Sequence, residues 1–146
     1  MRSADHEGGA LEGSTAGRRT RARDLLLALS GALALVAKSR LAEFGGEVVQ
    51  SYGGNFAASF AVFFVLKLPG IPGRFRPAGA AALALLATEL FEVTNGFGVM
   101  SNTYDPGDYI ANAVGVGLAV DVDGTIVMVS RNRPRKIGTR ELRGRI

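Results

Sequence analysis

Residues 105–120, DPGDYIANAVGVGLAV, begin with two aspartates and continue as an apolar run. Asp105 is a typical helix N-cap, and the proline after it suits the first helical position because its missing N–H would have no partner there. Spacings of three, four and three residues then place a set of polar or small residues on one narrow helical face. These residues are Asp105, Asp108, Asn112 and Gly115. The stretch therefore predicts an apolar helix with one polar stripe.

Three further apolar runs lie upstream, at residues 25–37, 48–66 and 77–93. The first is apolar on every face except at Ser30, and a helix of that kind belongs in a protein core or in a membrane. Each run is short against the roughly 20 residues that span a bilayer, so a soluble helical bundle is the alternative. Helix caps and snorkelling cations lengthen each run toward a span.

The positions of the basic residues favour the membrane interpretation. Fifteen of the 17 lie in residues 1–23, 67–76 and 131–146, and the other two are Lys38 and Arg40. Cytoplasmic segments of membrane proteins carry an excess of Lys and Arg, so this alternation predicts four crossings with both termini in the cytoplasm. All three tyrosines fall at predicted outer ends, where amphipathic rings favour the interface. They are Tyr52, Tyr104 and Tyr109.

The sequence thus predicts an all-α, polytopic membrane bundle of four transmembrane helices, located in the cell membrane as a multi-pass protein. Residues 1–23 are polar and glycine-rich, which predicts a disordered cytoplasmic tail. Residues 24–130 form the membrane domain, and residues 131–146 form a basic cytoplasmic tail. We expect this tail to contact anionic lipids of the bilayer, and no nucleic acid, because interleaved aromatic residues are missing. The sequence does not indicate an oligomeric state.

The composition excludes several classes of site. The 146 residues include no cysteine and a single histidine, His6, in the polar tail. This rules out a disulfide framework, a thiolate or histidine metal site, and catalysis by a Cys or His residue. No cofactor and no dedicated metal site are expected. No nucleophile or oxyanion donor is identifiable either, which argues against an enzyme.

The acidic residues of the third and fourth runs are the candidate site. Glu89 and Glu92 lie near the outer end of the third helix, and ionisable groups at membrane depth usually face a bundle interior. Alternatively, that helix ends earlier and both are interfacial. Asp105 and Asp108 are also explained as a cap and a first-turn acid that complements the helix dipole. Capping does not explain Asn112, which needs a hydrogen-bonding partner in apolar surroundings.

The segment from Glu92 to Asn95, followed by residues 104–115, resembles the signature of VanZ-like membrane proteins. In that family a Glu near the end of the third helix precedes an Asp-x-x-Asp-x-x-x-Asn-x-x-Gly run that opens the fourth. The resemblance implies a small bacterial integral membrane protein of poorly defined activity, with one member linked to glycopeptide resistance. The family usually has Gln at the position of Asn95 and often an Arg before the aspartates, whereas residues 93–104 are free of basic residues. The shared polar positions implied are Glu92, Asp105, Asp108 and Asn112.

Two functional interpretations follow. In the first, the polar residues bind a cationic or hydroxyl-rich group of an envelope precursor or a glycopeptide-related ligand, directly or through a divalent ion. In the second, they only cap and pack helices, and the protein is a non-catalytic interaction or assembly element of the envelope. The candidate ligand-binding residues are Glu89, Glu92, Asn95, Asp105, Asp108 and Asn112.

The end of the fourth helix has two interpretations. Asp121 and Asp123 precede a glycine, which favours a helix that stops near Val120, followed by a turn and a short interfacial strand. The alternative is a helix that continues to Ser130. That alternative would place both aspartates inside the membrane.

Overall fold

The computed structural model describes residues 6–68, 77–94 and 105–132. Every regular element in these ranges is an α-helix, which confirms the all-α prediction. Two segments, Glu43–Lys67 and Pro106–Arg131, are long and apolar enough to cross a membrane by length and composition. The helices are α1 (His6–Val36), α2 (Lys38–Lys67), α3 (Pro77–Val93) and α4 (Pro106–Arg131).

Helix α1 begins before the apolar run that predicted it. Residues 6–23 have a helical backbone in place of the disordered tail that their composition indicated. Asp24, which directly precedes the apolar run, lies inside α1 with 1% of its surface exposed. A buried carboxylate requires a partner, and Arg23 supplies one through its guanidinium. The charged segment therefore continues the apolar helix without a break.

Helix α2 is bent close to its beginning. Ala37 separates it from α1 but accepts a hydrogen bond from the Leu41 N–H, so the first segment of α2 continues the helical path of α1. The chain reverses near Gly46, which places Gly54 against Leu35 and Lys38. Gly46 has φ 65° and ψ −156°, which breaks the helical geometry between a short segment, residues 38–45, and a long one, residues 47–67. A positive φ is readily available to glycine because it lacks a Cβ atom.

Helix α2 is the centre of the bundle, because it packs against α1, α3 and α4. Glycines bring the backbones together at two crossings. A Cβ atom on Gly31 of α1 would lie 2.9 Å from the Cβ atom of Ala61, and a Cβ atom on Gly115 of α4 would overlap Ser59 Oγ and the Phe56 carbonyl. Small residues at such positions permit close helix packing.

The core lies between α2, α3 and α4. Phe63 and Phe64 are fully buried and meet edge to face, with ring centroids 5.0 Å apart. Ala80, Ala84 and Ala119 pack around them. Large aromatic rings on the central helix thus face alanines on its neighbours, which allows the helices to approach one another.

Large apolar side chains are exposed on all four helices. Leu26, Phe44, Leu86 and Ile110 are 66%, 91%, 62% and 66% exposed, one on each helix in turn. Soluble monomers rarely expose apolar surface on this scale. The two candidate spans are consistent with this surface, because only 28% and 22% of their most apolar 18-residue stretches are buried within the bundle.

Helix α4 continues without a break to Arg131, so the preferred end near Val120 and the short strand after it are wrong. The two aspartates that favoured an early end have different environments. Asp121 is exposed, whereas Asp123 is buried against two cationic side chains. Pairing removes the penalty that made an acidic residue in this helix seem too costly.

Candidate acidic site at one end of the bundle

Side chains from three helices meet near the beginning of α4. The Glu89 carboxyl of α3 has Glu92, Asp108 and Asn112 as its electrostatic neighbours. Tyr52 of α2 faces the beginning of α4 on the other side and interacts with Asp108 as well. We call this group the acidic cluster; it comprises Tyr52, Glu89, Glu92, Asp105, Asp108 and Asn112.

The predicted polar stripe of α4 is confirmed as a buried face. Asp108 and Asn112 are 8% and 2% exposed, and Gly115 follows them on the same side. The opposite face, which carries Ile110 and Val114, is exposed. Helix α4 therefore directs this polar stripe into the bundle, together with the apolar residues Val116 and Ala119.

Asp105 is the N-cap of α4, and both of its carboxylate oxygens accept hydrogen bonds. The Gly107 backbone N–H donates to Oδ1 over 2.8 Å, and the Tyr52 hydroxyl donates to Oδ2 over 3.0 Å. A Cβ atom on Gly107 would overlap the Tyr52 ring, so this glycine makes room for the contact. Asp105 thus has the structural role that the capping interpretation described.

Tyr52 was predicted only as an interfacial residue. Its hydrogen bond to Asp105 joins α2 to the first turn of α4 across 53 residues of sequence. Its position at the predicted outer end of the second helix was the one signal that placed it near the aspartates.

Glu89 and Asn112 contain buried polar atoms without a hydrogen bond of full geometry among the described residues. Within the described residues, Glu89 Oε2 and Asn112 Nδ2 are buried and have no hydrogen-bond partner, although the two side chains interact. An unsatisfied buried donor or acceptor typically destabilises a protein by about 1–3 kcal/mol. Buried polar atoms are nearly always paired, and these two are a complementary acceptor and donor that can pair directly or through a bridging hydroxyl group.

The remaining candidate residues are Glu92, on the same helix as Glu89, and Asn95. Helix α3 extends to Val93, so Glu89 and Glu92 both lie within it, which excludes the alternative that the helix ends before them. Glu92 is half-buried. Asn95 lies outside the described residues. Within the described part of the chain, no group of three or more His, Cys, Asp or Glu residues is arranged to hold a metal ion.

A second charged group, which the sequence did not indicate, lies at the opposite end of the bundle. Asp123 Oδ1 accepts a hydrogen bond from Arg23 over 2.9 Å and also pairs with Lys67. Arg23 donates to Asp24 as well, from Nε over 2.8 Å. Both aspartates are at most 2% exposed. This ion-pair cluster, comprising Arg23, Asp24, Lys67 and Asp123, ties α1, α2 and α4 together.

Comparison of the chain with protein-family models, with curated proteins and with solved structures finds no match. The architecture and the two charged groups therefore carry the functional argument.

Proposed function

We propose that this chain is a multi-pass membrane protein of the cell envelope whose acidic cluster binds a ligand that carries hydroxyl and ammonium groups. The observation that carries this proposal is the pair of buried atoms Glu89 Oε2 and Asn112 Nδ2, whose side chains interact although neither atom has a hydrogen bond of full geometry in the described residues. One is an acceptor and the other a donor. A hydroxyl group can donate to the first and accept from the second, which a purely cationic group cannot do.

The carboxylates around this pair favour a positive charge on the same ligand. Glu92 and Asp108 lie within electrostatic range of Glu89. Negative charge is therefore concentrated at the end of α3 and the beginning of α4. A ligand ammonium group would reduce the repulsion among these carboxylates. An amino sugar, as a component of an envelope precursor, carries both groups. The VanZ-like resemblance is consistent with this proposal because it implies Glu92, Asp108 and Asn112.

The proposed arrangement in the bilayer has four crossing helices. The 17 residues of α3 extend about 26 Å at 1.5 Å per residue. This length is slightly below the roughly 30 Å hydrocarbon core, so modest bilayer thinning accompanies it. The ion-pair cluster then lies at the cytoplasmic side, with the basic residues of the tails, and the acidic cluster lies at the outer side. The tail after Arg131 contacts anionic lipid in this arrangement.

Topology reporters test the membrane part of the proposal. Reporters fused after residues 22, 72, 100 and 146 should report inside, inside, outside and inside. A soluble protein, or an inside location for the fusion at residue 100, would contradict the four-span arrangement. This result is independent of any ligand.

Sugar binding to the detergent-purified protein tests the site. Glucosamine, which carries an ammonium group, should bind more tightly than N-acetylglucosamine, which has lost that charge. Glu89→Gln and Asp108→Asn should each weaken glucosamine binding about tenfold, as expected for a charge-assisted hydrogen bond. Glu43→Gln is the matched control, because Glu43 is an exposed carboxylate on α2 and its loss should not alter binding. Equal binding of both sugars, or a similar loss in the control, would contradict the proposal.

The second candidate function is a non-catalytic assembly element of the envelope. It is favoured by Asp105, whose two oxygens are both used within the protein, and by the fit of Gly107 against Tyr52. Asp108→Asn separates the two functions. It keeps the shape and a hydrogen-bonding group, so folded protein should remain while glucosamine binding weakens about tenfold. Loss of folded protein on this change alone would favour the assembly function.

A further inference from the structure

A mostly apolar pocket lies between α1 and α2, next to the kink at Gly46. Its volume is about 450 Å³, within the range of roughly 300–1,000 Å³ that is typical of small-molecule sites. Only one of its lining residues, Lys38, is charged. The principal lining residues are Ala34, Lys38, Leu41, Phe44, Val49 and Phe56.

The pocket forms because the hairpin of α1 and α2 opens beyond a close crossing. Gly31 brings α1 against Ala57 and Ala61 of α2, with little space between the backbones. The break at Gly46 reverses the chain, so the short first segment of α2, which continues α1, faces the long segment of α2. The space left between this segment, the last turns of α1 and the long segment of α2 is the pocket.

Lys38 places a positive charge in this apolar space. It is half-buried, and its Nζ atom would lie 3.4 Å from a Cβ atom at Gly54, so the ammonium group lies against the long segment of α2. Among the described residues, Lys38 forms no ion pair, in contrast with Arg40, which pairs with Glu43. A half-buried ammonium group in apolar surroundings favours an anionic partner.

The rim of the pocket is accessible from the surrounding apolar surface. Two of the lining residues, Phe44 and Leu41, are 91% and 46% exposed. In the proposed membrane arrangement these side chains contact lipid, so an acyl chain could enter the pocket without crossing a polar surface.

We propose that this pocket binds an acyl chain of an anionic phospholipid and that Lys38 binds the phosphate of the same molecule. The charge complementarity of one ammonium and one phosphate, above an apolar cavity, identifies this occupant. The site is separate from the acidic cluster and from the basic tail. It rests on the membrane part of the proposed function and does not depend on the sugar site.

Photolabelling tests this proposal on the full chain in lipid. Phosphatidylglycerol with a diazirine in its acyl chain is compared with the same label on zwitterionic phosphatidylcholine. After trypsin digestion, the peptide that ends at Lys67 should carry more label from the anionic lipid. Because this peptide does not contain the basic tail, label on the tail does not contribute to the signal.

Variants of Lys38 and Arg40 should differ in how strongly the peptide prefers the anionic lipid over the zwitterionic one. Lys38→Gln should reduce the anionic preference about fivefold, whereas Lys38→Arg should keep it. Arg40→Gln is the matched control, because it removes an exposed charge outside the pocket and should have no effect. Ala34→Leu narrows the pocket without changing its charge and should reduce labelling by both lipids.

Three results would overturn the proposal. They are equal labelling of this peptide by both lipids, an equal loss in Arg40→Gln, and full labelling in Ala34→Leu. If topology reporters show a membrane-embedded protein that fails these tests, the lipid site alone is wrong. If the reporters show a soluble protein, the membrane arrangement itself has failed.

Discussion

The two ends of the bundle bury acidic side chains in different ways. At one end, Asp123 pairs with Arg23 and Lys67, and each charge has a partner. At the other end, Glu89 lies among further carboxylates, and its Oε2 atom has no hydrogen-bond partner in the described residues. The ion-pair cluster, whose charges are all paired, holds helices together, whereas the acidic cluster is where we propose that a ligand binds.

The comparison also predicts opposite responses to the loss of a negative charge. Removing one partner from a buried ion pair leaves an uncompensated charge and is strongly destabilising. Removing a charge from a cluster of like charges relieves repulsion and leaves stability unchanged or slightly higher.

The largest effect is expected at the ion-pair cluster. Asp123→Asn leaves Lys67 without its carboxylate and leaves Arg23 with Asp24 alone, so we expect a loss of about 3 kcal/mol in the free energy of unfolding. Thermal unfolding in detergent measures this loss. Asp121→Asn is the matched control, because Asp121 is exposed on the same helix and its replacement should change stability by less than about 0.5 kcal/mol. Similar stability of the two variants would show that the buried pairs do not hold the helices together.

The next largest change in stability is expected at Gly115, where α4 crosses α2. Gly115→Ala places a Cβ atom against Ser59 and the Phe56 carbonyl, so we expect a destabilisation of about 1–3 kcal/mol. Gly117 is two residues away and has open space around it. Gly117→Ala should stabilise α4 by up to about 1 kcal/mol through helix propensity. The two unfolding midpoints should therefore move in opposite directions; a shift in the same direction would contradict the close crossing.

Much of the fold could be predicted because it depends on local patterns. Apolar runs separated by turn residues gave the helices, and the three, four, three spacing gave the buried stripe through Asp108 and Asn112. The site positions on α3 and α4 followed from the cost of burying ionisable groups. The missing hydrogen bonds at Glu89 and Asn112 depend on side-chain geometry and could not be read from spacing.

The features that could not be predicted depend on contacts between residues that are far apart in the sequence. Arg23 and Asp123 are 100 residues apart, so no local pattern links them. Without that link, Asp123 looked too costly for a helix in the membrane, and α4 was given an end near Val120. The pocket beside Lys38 was missed for a related reason, because it depends on the kink at Gly46.

A smaller effect is expected where the acidic cluster is satisfied by the protein itself. Tyr52→Phe removes one hydrogen bond to Asp105 and leaves the N-cap intact, so we expect a loss of about 1 kcal/mol in stability. Glucosamine binding should change little, because the Glu89 and Asn112 atoms are untouched. Measuring unfolding and binding on the same preparation separates these outcomes. A loss of binding as large as that in Glu89→Gln would show that Tyr52 contacts the sugar directly.

The smallest effect on stability, with the largest contrast in function, is expected at Glu89. Glu89→Gln keeps the size of the side chain and removes a negative charge from among carboxylates, so the free energy of unfolding should stay the same or rise by less than about 1 kcal/mol. Binding of glucosamine should nevertheless fall. A residue kept for packing would show the reverse pattern, with lower stability and no specific change in binding. If Glu89→Gln were as unstable as Asp123→Asn, the two ends of the bundle would be alike and the acidic cluster would be a structural element.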